Sequence, residues 1–379
     1  MRPTRVLVAP NSFRDGLDAG AAAAALARGV RRALPGAEVV ELPLADGGDG
    51  SLAVLCRLLG GELHTSTVSD PLGRPREARF ALTKDGTALI EMAEASGLRL
   101  VEEPLRDPFR SSTRGTGELI RAALDRGARR ILVAAGGSGT IDAGAGALAA
   151  LGAVYRDAAG RALEPVPRAL TEVASMDLSG LDARLAGVEL TVLSDVLTPV
   201  ERHVEVYGPQ KGLDPRHTEA LEGFLRRFMD LAAGLGVELA GRPWVGAGGC
   251  LAGGLAAFAG ARAVGGAEEI CRLAGLSGHL EGAALVITGE GRFDATSGQG
   301  KLTATVAAEA AARRVPAVVI AGQVVASEIL PPGVVACFSA APGPLNLAEA
   351  LERAPAELAR TAEQVVRLLA ATRHKEVEG

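Results

Sequence analysis

Short runs of β-branched and aliphatic residues recur along this chain, each followed by a polar turn and then a stretch with helical spacing. Val6–Ala9 precedes a helix expected over Ala19–Ala33, and Glu38–Leu42 reads as the next strand. Arg130–Ala134 leads to a small-residue helix at Ala143–Leu151, Val188–Leu193 to the amphipathic Pro215–Leu235, and Ala284–Thr288 to Leu302–Arg313. Pro316–Ala321 and Val334–Phe338 read as strands, and helical segments over Leu347–Leu369 close the series. Strands alternating with helices at this spacing predict parallel sheets covered on both faces. Arg79–Leu82 and Ala88–Met92 depart from the pattern and read as a hairpin across Thr83–Thr87. The fold class is α/β.

A length of 379 residues exceeds what one core serves well, since cores stop growing near roughly 250–300 residues, so two domains are expected. The first two strands and the last three share one character, whereas the middle is richer in glycine. We therefore expect a discontinuous Rossmann/flavodoxin-like α/β domain of residues 1–66 and 275–379, with an inserted α/β domain of residues 67–274.

Charge and composition exclude several partners. A net charge of −5 gives no positive field for a phosphate backbone, and 3% aromatic residues leave few stacking platforms for bases. Four cysteines and five histidines show no metal-ligand spacing, which argues against a zinc site and for free thiols in a reducing compartment. The apolar run near Val6 is too short for a signal-peptide core, so a cytoplasmic location is expected. Trp244–Ala261 carries no charge, but its six glycines mark a loop entering a packed internal helix, not a membrane span.

Chemistry concentrates where strands end, which is where open α/β sheets bind ligands. Ala45-Asp46-Gly47-Gly48-Asp49-Gly50 sets two carboxylates among three glycines, suited to a metal ion or to helix capping. Gly136-Gly137-Ser138-Gly139-Thr140-Ile141-Asp142 is a glycine-rich turn whose exposed amides suit phosphate, although no Gly-Lys-Ser/Thr follows. Asp195 leaves a strand, where it can act as a base, and Lys211 on Gly208-Pro209-Gln210-Lys211-Gly212 can reach a phosphate. Gly289-Glu290-Gly291-Arg292-Phe293-Asp294 continues through Ser297 to Lys301. There Arg292 can grip a carboxylate or phosphate with two parallel bonds.

These segments, with Ala9-Pro10-Asn11-Ser12-Phe13, Glu91-Met92-Ala93-Glu94-Ala95-Ser96-Gly97-Leu98, Arg114-Gly115-Thr116-Gly117-Glu118 and Pro342-Gly343-Pro344-Leu345, resemble type 1 glycerate kinases in order and spacing along nearly the whole chain. The resemblance implies an ATP- and Mg2+-dependent kinase giving 2-phosphoglycerate from D-glycerate. It also implies two α/β domains with the active site in the cleft between them. The chain departs from the family pattern at Asn11, usually aspartate, at Arg14-Asp15, usually Lys-Gly, at Ile141, usually asparagine, and at Thr296, usually glutamine. Asp195-Val196-Leu197-Thr198-Pro199 stands in place of a common Asp-x-x-Asn-Pro region.

The expected site then comprises Asp195, Lys211, Asp294 and Lys301 as catalytic groups, with Asp195 the first choice of base and Asp294 its rival. Arg292, Ser12, Glu290 and Ser297 are expected to bind substrate. Gly136, Gly137, Ser138 and Asp142 are expected to bind the nucleotide, and Asp46 and Asp49 the metal. Glycerate and ATP are the expected partners, without nucleic acid or membrane, and a homodimer is compatible with the sequence. Alternatives are a kinase of another small hydroxy acid, a non-catalytic relative that binds ATP or an acid, and a dinucleotide oxidoreductase. The last lacks its glycine fingerprint after the first strand.

Overall fold

A computed structural model describes residues 4–13, 16–294, 301–325 and 330–377. The chain divides into two compact units, residues 1–46 with 267–379, and residues 47–266.

The first unit is built on five strands: β1 (Arg5–Val8), β2 (Glu38–Glu41), β9 (Leu285–Thr288), β10 (Ala317–Ala321) and β11 (Val334–Ser339). Strands β3 to β8 lie in the other unit. All neighbours in this sheet run parallel, in the order β11-β10-β9-β1-β2. Counted along this unit alone, the order is 2-1-3-4-5, the doubly wound flavodoxin-like arrangement, which reverses direction between β1 and β9. Helix α1 (Ala19–Ala33) joins β1 to β2, starting where Asp18 accepts the amide of Ala21. The long last helix (Leu347–Val377) packs along α1, and Gly29 permits it: a Cβ there would collide with the carbonyl of Ala359. Val6, Val8, Leu26, Ile287, Ile320 and Leu358 form the core.

The second unit carries a six-stranded sheet of β3 (Glu62–Ser69), β4 (Pro75–Leu82), β5 (Thr87–Glu91), β6 (Arg130–Ala134), β7 (Glu189–Ser194) and β8 (Arg262–Gly265), in the order β8-β7-β6-β5-β4-β3. Strands β5 to β8 are mutually parallel, and β3 and β4 add an antiparallel edge. The hairpin expected across Thr83–Thr87 is the β4–β5 pair, closed by the amide of Gly86 on the carbonyl of Thr83 at 3.0 Å. Strand β3 was not anticipated. It runs through residues 66 and 67, where the sequence reading put a domain boundary, and pairs with β4 from Glu62 to Ser69. Helix α2 (Ser51–Leu59) precedes β3, and α3 (Arg114–Asp125) joins β5 to β6. The expected 143–151 helix is α4 (Ala145–Ala150). The 215–235 helix is α5 (Thr218–Gly234), preceded by a single 3-10 turn at Pro215–His217. Trp244–Ala261 forms turns and then α6 (Leu251–Phe258) within the apolar core, and no described helix is long and apolar enough to cross a membrane.

Candidate active site

In the second unit the ends of β5, β6 and β7 lie side by side, and two predicted segments follow β6 and β7. Gly136, just past β6, approaches both the segment before α2 and the one past β7: its amide donates to the carbonyl of Gly47 at 2.9 Å, and a Cβ on it would lie 2.9 Å from Oδ2 of Asp195. Glycine is needed next door as well. Gly137 adopts a positive φ of 69°, and any Cβ there would strike Oδ1 of Asp49. The glycines thus let two acidic segments close on one strand end. Asp49 pairs with Arg99 Nη2 at 3.2 Å, while its Oδ1 is buried with no hydrogen-bond partner among the described residues.

Behind this surface the glycine-rich turn is tied down from below. Lys211 is 2% exposed, and its ammonium donates to Ser138 Oγ and to the carbonyl of Thr140, both at 2.8 Å. The lysine expected to reach out to a phosphate is instead held under the loop that was expected to cradle one. Burial pushes its ammonium down to about 8, against the pull of Cys250, Asp142 and Asp195. Its neighbour His203 is also buried and held well below the usual imidazole range by burial and by the charge on Lys211, so it is neutral at pH 7. Asp142 is fully buried. Its carboxylate accepts the amide and hydroxyl of Thr113 at 2.7 and 2.8 Å and the amides of Gly144 and Gly146 at 3.2 and 3.1 Å. These donors join the starts of α3 and α4, so Asp142 shapes the turn from inside.

In the first unit, β1 and β9 end at the switch point of the sheet, where this topology opens a crevice. Asn11 follows β1 and its amide donates to the carbonyl of Gly289 past β9 at 2.8 Å. Its side chain takes a second role: Nδ2 donates to Oδ2 of Asp46 at 2.9 Å, and Oδ1 accepts the amide of Ser12 at 2.8 Å. Glu290 accepts the hydroxyl of Thr303 at 3.0 Å, on the helix α7 (Leu302–Ala312) for which Lys301 is the N-cap. Arg292, 62% exposed at its side chain, donates from Nε to Asp294 at 3.2 Å. The structure therefore gathers Ser12, Asp46, Glu290, Arg292, Asp294 and Lys301 on loops of this unit. It gathers Asp49, Gly136, Gly137, Ser138, Asp142, Asp195 and Lys211 on loops of the other. Ser297 and Thr296, like Arg14 and Asp15, lie outside the described residues.

The model of the glycerate kinase family matches residues 6–370. The chain belongs to that family. It is 39% identical to a glycerate kinase of Bacillus subtilis (strain 168) over 95% of this chain and 96% of that one. It is 38% identical to a glycerate 2-kinase of Escherichia coli (strain K12), over 84% and 85%. A crystal structure assigned as glycerate kinase 2 of Salmonella typhimurium LT2 is similar throughout, with a TM-score of 0.86, 37% identity, and 98% and 100% of the two chains covered. The chain is accordingly an enzyme, a kinase and thus a transferase.

Family membership also lets the departures be read physically. Ile141 is wholly buried in the apolar core, where the branched side chain is at home and an unpartnered amide would be costly. Asn11 supplies the donor that Asp46 accepts; an aspartate in its place would set two carboxylates together. Residues that sequence reasoning left without a role are Glu91, Arg99, Thr113 and Thr303. Glu91 and Thr113 lie in or beside quoted motifs, but their service is to amides and carboxylates distant in sequence.

Magnesium is usually held by one or two carboxylates together with phosphate oxygens and water. Asp49, with its undonated Oδ1, fits that requirement. Asp46 is engaged by Asn11. Among the described residues no group of three or more histidines, cysteines, aspartates and glutamates converges as a closed metal site.

Proposed function

We propose that this kinase phosphorylates D-glycerate with ATP, in the presence of Mg2+, and releases 2-phosphoglycerate. The observation that carries the reading is the approach of Asp195, just past β7, and of Asp49, at the start of α2, to the Gly136–Gly137 turn past β6. A carboxylate able to take a hydroxyl proton and a second able to hold a cation thus adjoin one glycine-rich turn, the segment taken to lie beside the phosphates. In this reading Asp195 removes the proton from the attacking hydroxyl, and Asp294 is the rival for that task. Asp49 would hold Mg2+, which when bound screens charge on the phosphate oxygens.

Lys211, Ser138 and Asp142 keep the glycine turn in shape. Arg292 binds the glycerate carboxylate, with Ser12, Glu290 and Ser297 as further substrate contacts and Lys301 as a further cation. Positioning and electrostatics carry such reactions, and proximity alone can supply on the order of 7–11 kcal/mol. The test is a coupled assay of ADP release with and without D-glycerate, across a panel of small hydroxy acids, with the product identified by phosphorus NMR. ADP release that does not depend on D-glycerate would overturn the substrate assignment. Faster turnover of another hydroxy acid would support the related reading in which the acceptor differs.

A further inference from the structure

Asp49 is held in place without the usual means. Its Oδ1 has no donor among the described residues, its Oδ2 meets only an arginine whose side chain is 63% exposed, and it stands directly against the backbone of Gly137. Its position therefore has to be set by the backbone of its own turn, Gly47–Gly50, at the start of α2. The helix start offers no side chain for this, because the N-cap is Gly50, with φ of 90°. Four amides at a helix start need outside partners.

Glu91 serves two of them, Gly50 and Leu52, from the last position of β5. Its carboxylate is 8% exposed and accepts the amide of Gly50 on both oxygens at 3.1 Å and the amide of Leu52 on Oε2 at 2.9 Å. A carboxylate at that end also suits the helix dipole. We infer that Glu91 is a positioning residue that fastens the Gly47–Gly50 turn to the end of β5 and so fixes Asp49 against Gly137. The carboxylate reaches this place at a cost: burial, and then the neighbouring Asp49 and Glu94, push its acid up, while the amides of Leu52 and Gly50 pull it down.

The inference rests on the proposed kinase reading, so wild-type ADP release with D-glycerate is measured first; its absence removes that reading and leaves the clamp to be judged by exchange alone. Glu91→Gln is nearly isosteric, yet turns an NH2 group toward amides that themselves donate. In peptides covering residues 48–53, amide hydrogen exchange should quicken relative to wild type. Turnover should fall between about tenfold and a hundredfold, with KM for D-glycerate changed less, as expected for a misplaced group. Phe228→Leu, in the core beside Phe258, is the stability control and should lower Tm with turnover kept. If Glu91→Gln does not fold, Glu91→Asp keeps the charge and shortens its reach by one methylene, and the same two measurements apply. Unchanged exchange at residues 48–53, or a turnover loss no greater than that of Phe228→Leu, overturns the inference.

Discussion

The carboxylate of Asp49 fills the space that a side chain on Gly137 would need. Two segments separated by almost ninety residues are thus mutually dependent: the turn after β6 has no Cβ at this point because an acid from the start of α2 lies there. Gly137→Ala would meet both this collision and a positive φ of 69°. It should lose about 1–3 kcal/mol of stability by denaturant unfolding and about tenfold or more in kcat/KM. A variant with wild-type kcat/KM would show that the approach of Asp49 has no part in catalysis.

Lys211 gives a prediction in pH. Its ammonium is pushed down to about 8, against the 10.5 of an exposed lysine, so the folded state releases its proton first as pH rises. Below about 8 both states hold the proton and the burial penalty is present in full. Between about 8 and 10.5 the unfolded chain binds more protons, and stability from this group rises with pH. Wild type should therefore gain on Lys211→Met across that window in chemical denaturation at pH 7.5, 9 and 10. A flat difference would mean that the lysine is not depressed.

In the proposed reaction Asp195 and Asp294 are rivals for the role of base. Asp195→Asn should reduce kcat by about a hundredfold to ten-thousandfold, as loss of a general base does, whereas Asp294→Asn should cost less and act through Arg292. Single-turnover kinetics would decide. Near-normal chemistry in Asp195→Asn with none in Asp294→Asn would exchange the two roles.

Arg292→Lys keeps the charge and loses the planar fork. If the guanidinium binds the carboxylate of glycerate, KM should rise about tenfold or more with kcat altered less, because the contact is the same in ground and transition states. A fall in kcat at unchanged KM would place this residue nearer the transferred group.

Asn11→Asp would replace a donor with a second acid 2.9 Å from Asp46. Two carboxylates so close cannot both ionise easily, and one should take up a proton at higher pH than usual. Carbon-13 NMR titration of the labelled aspartates would report it, and thermal stability should fall as pH rises through that transition. No displaced titration would mean that the Asn11 bond to Asp46 is not kept in solution.

Much of this architecture was legible from aliphatic runs. The strand at Arg130–Ala134 was read with its observed bounds, and those at Val6–Ala9, Val188–Leu193 and Ala284–Thr288 within a residue, because a strand buried on both faces must be apolar throughout. Strand β3 escaped notice because Glu62-Leu63-His64-Thr65-Ser66-Thr67 lies on the sheet edge, mostly exposed, and carries almost no apolar signal. The acidic and glycine-rich loops were recognisable as sites because they sit past strand ends. What they do individually was less so. Asp142 and Asp49 are both aspartates beside glycines, yet one is wholly consumed by four internal donors and the other retains an unused oxygen. Only burial separates them, and burial is not written in local spacing. The same holds for Lys211, whose Gly-Pro-Gln-Lys-Gly turn reads as an exposed hand and folds as an internal strut.

The arrangement of the first sheet bears on how this chain is made. Strand β1 is paired on one side with β2, which follows it closely, and on the other with β9, where Val6 meets Leu285. During synthesis the β1–β2 pair must wait, with one edge of β1 unsatisfied, until most of the polypeptide has left the ribosome. Residues 47–266 emerge entire in that interval and carry a sheet of their own. Nascent chains of this kinase should therefore be most dependent on chaperones before the segment from β9 to β11 is released.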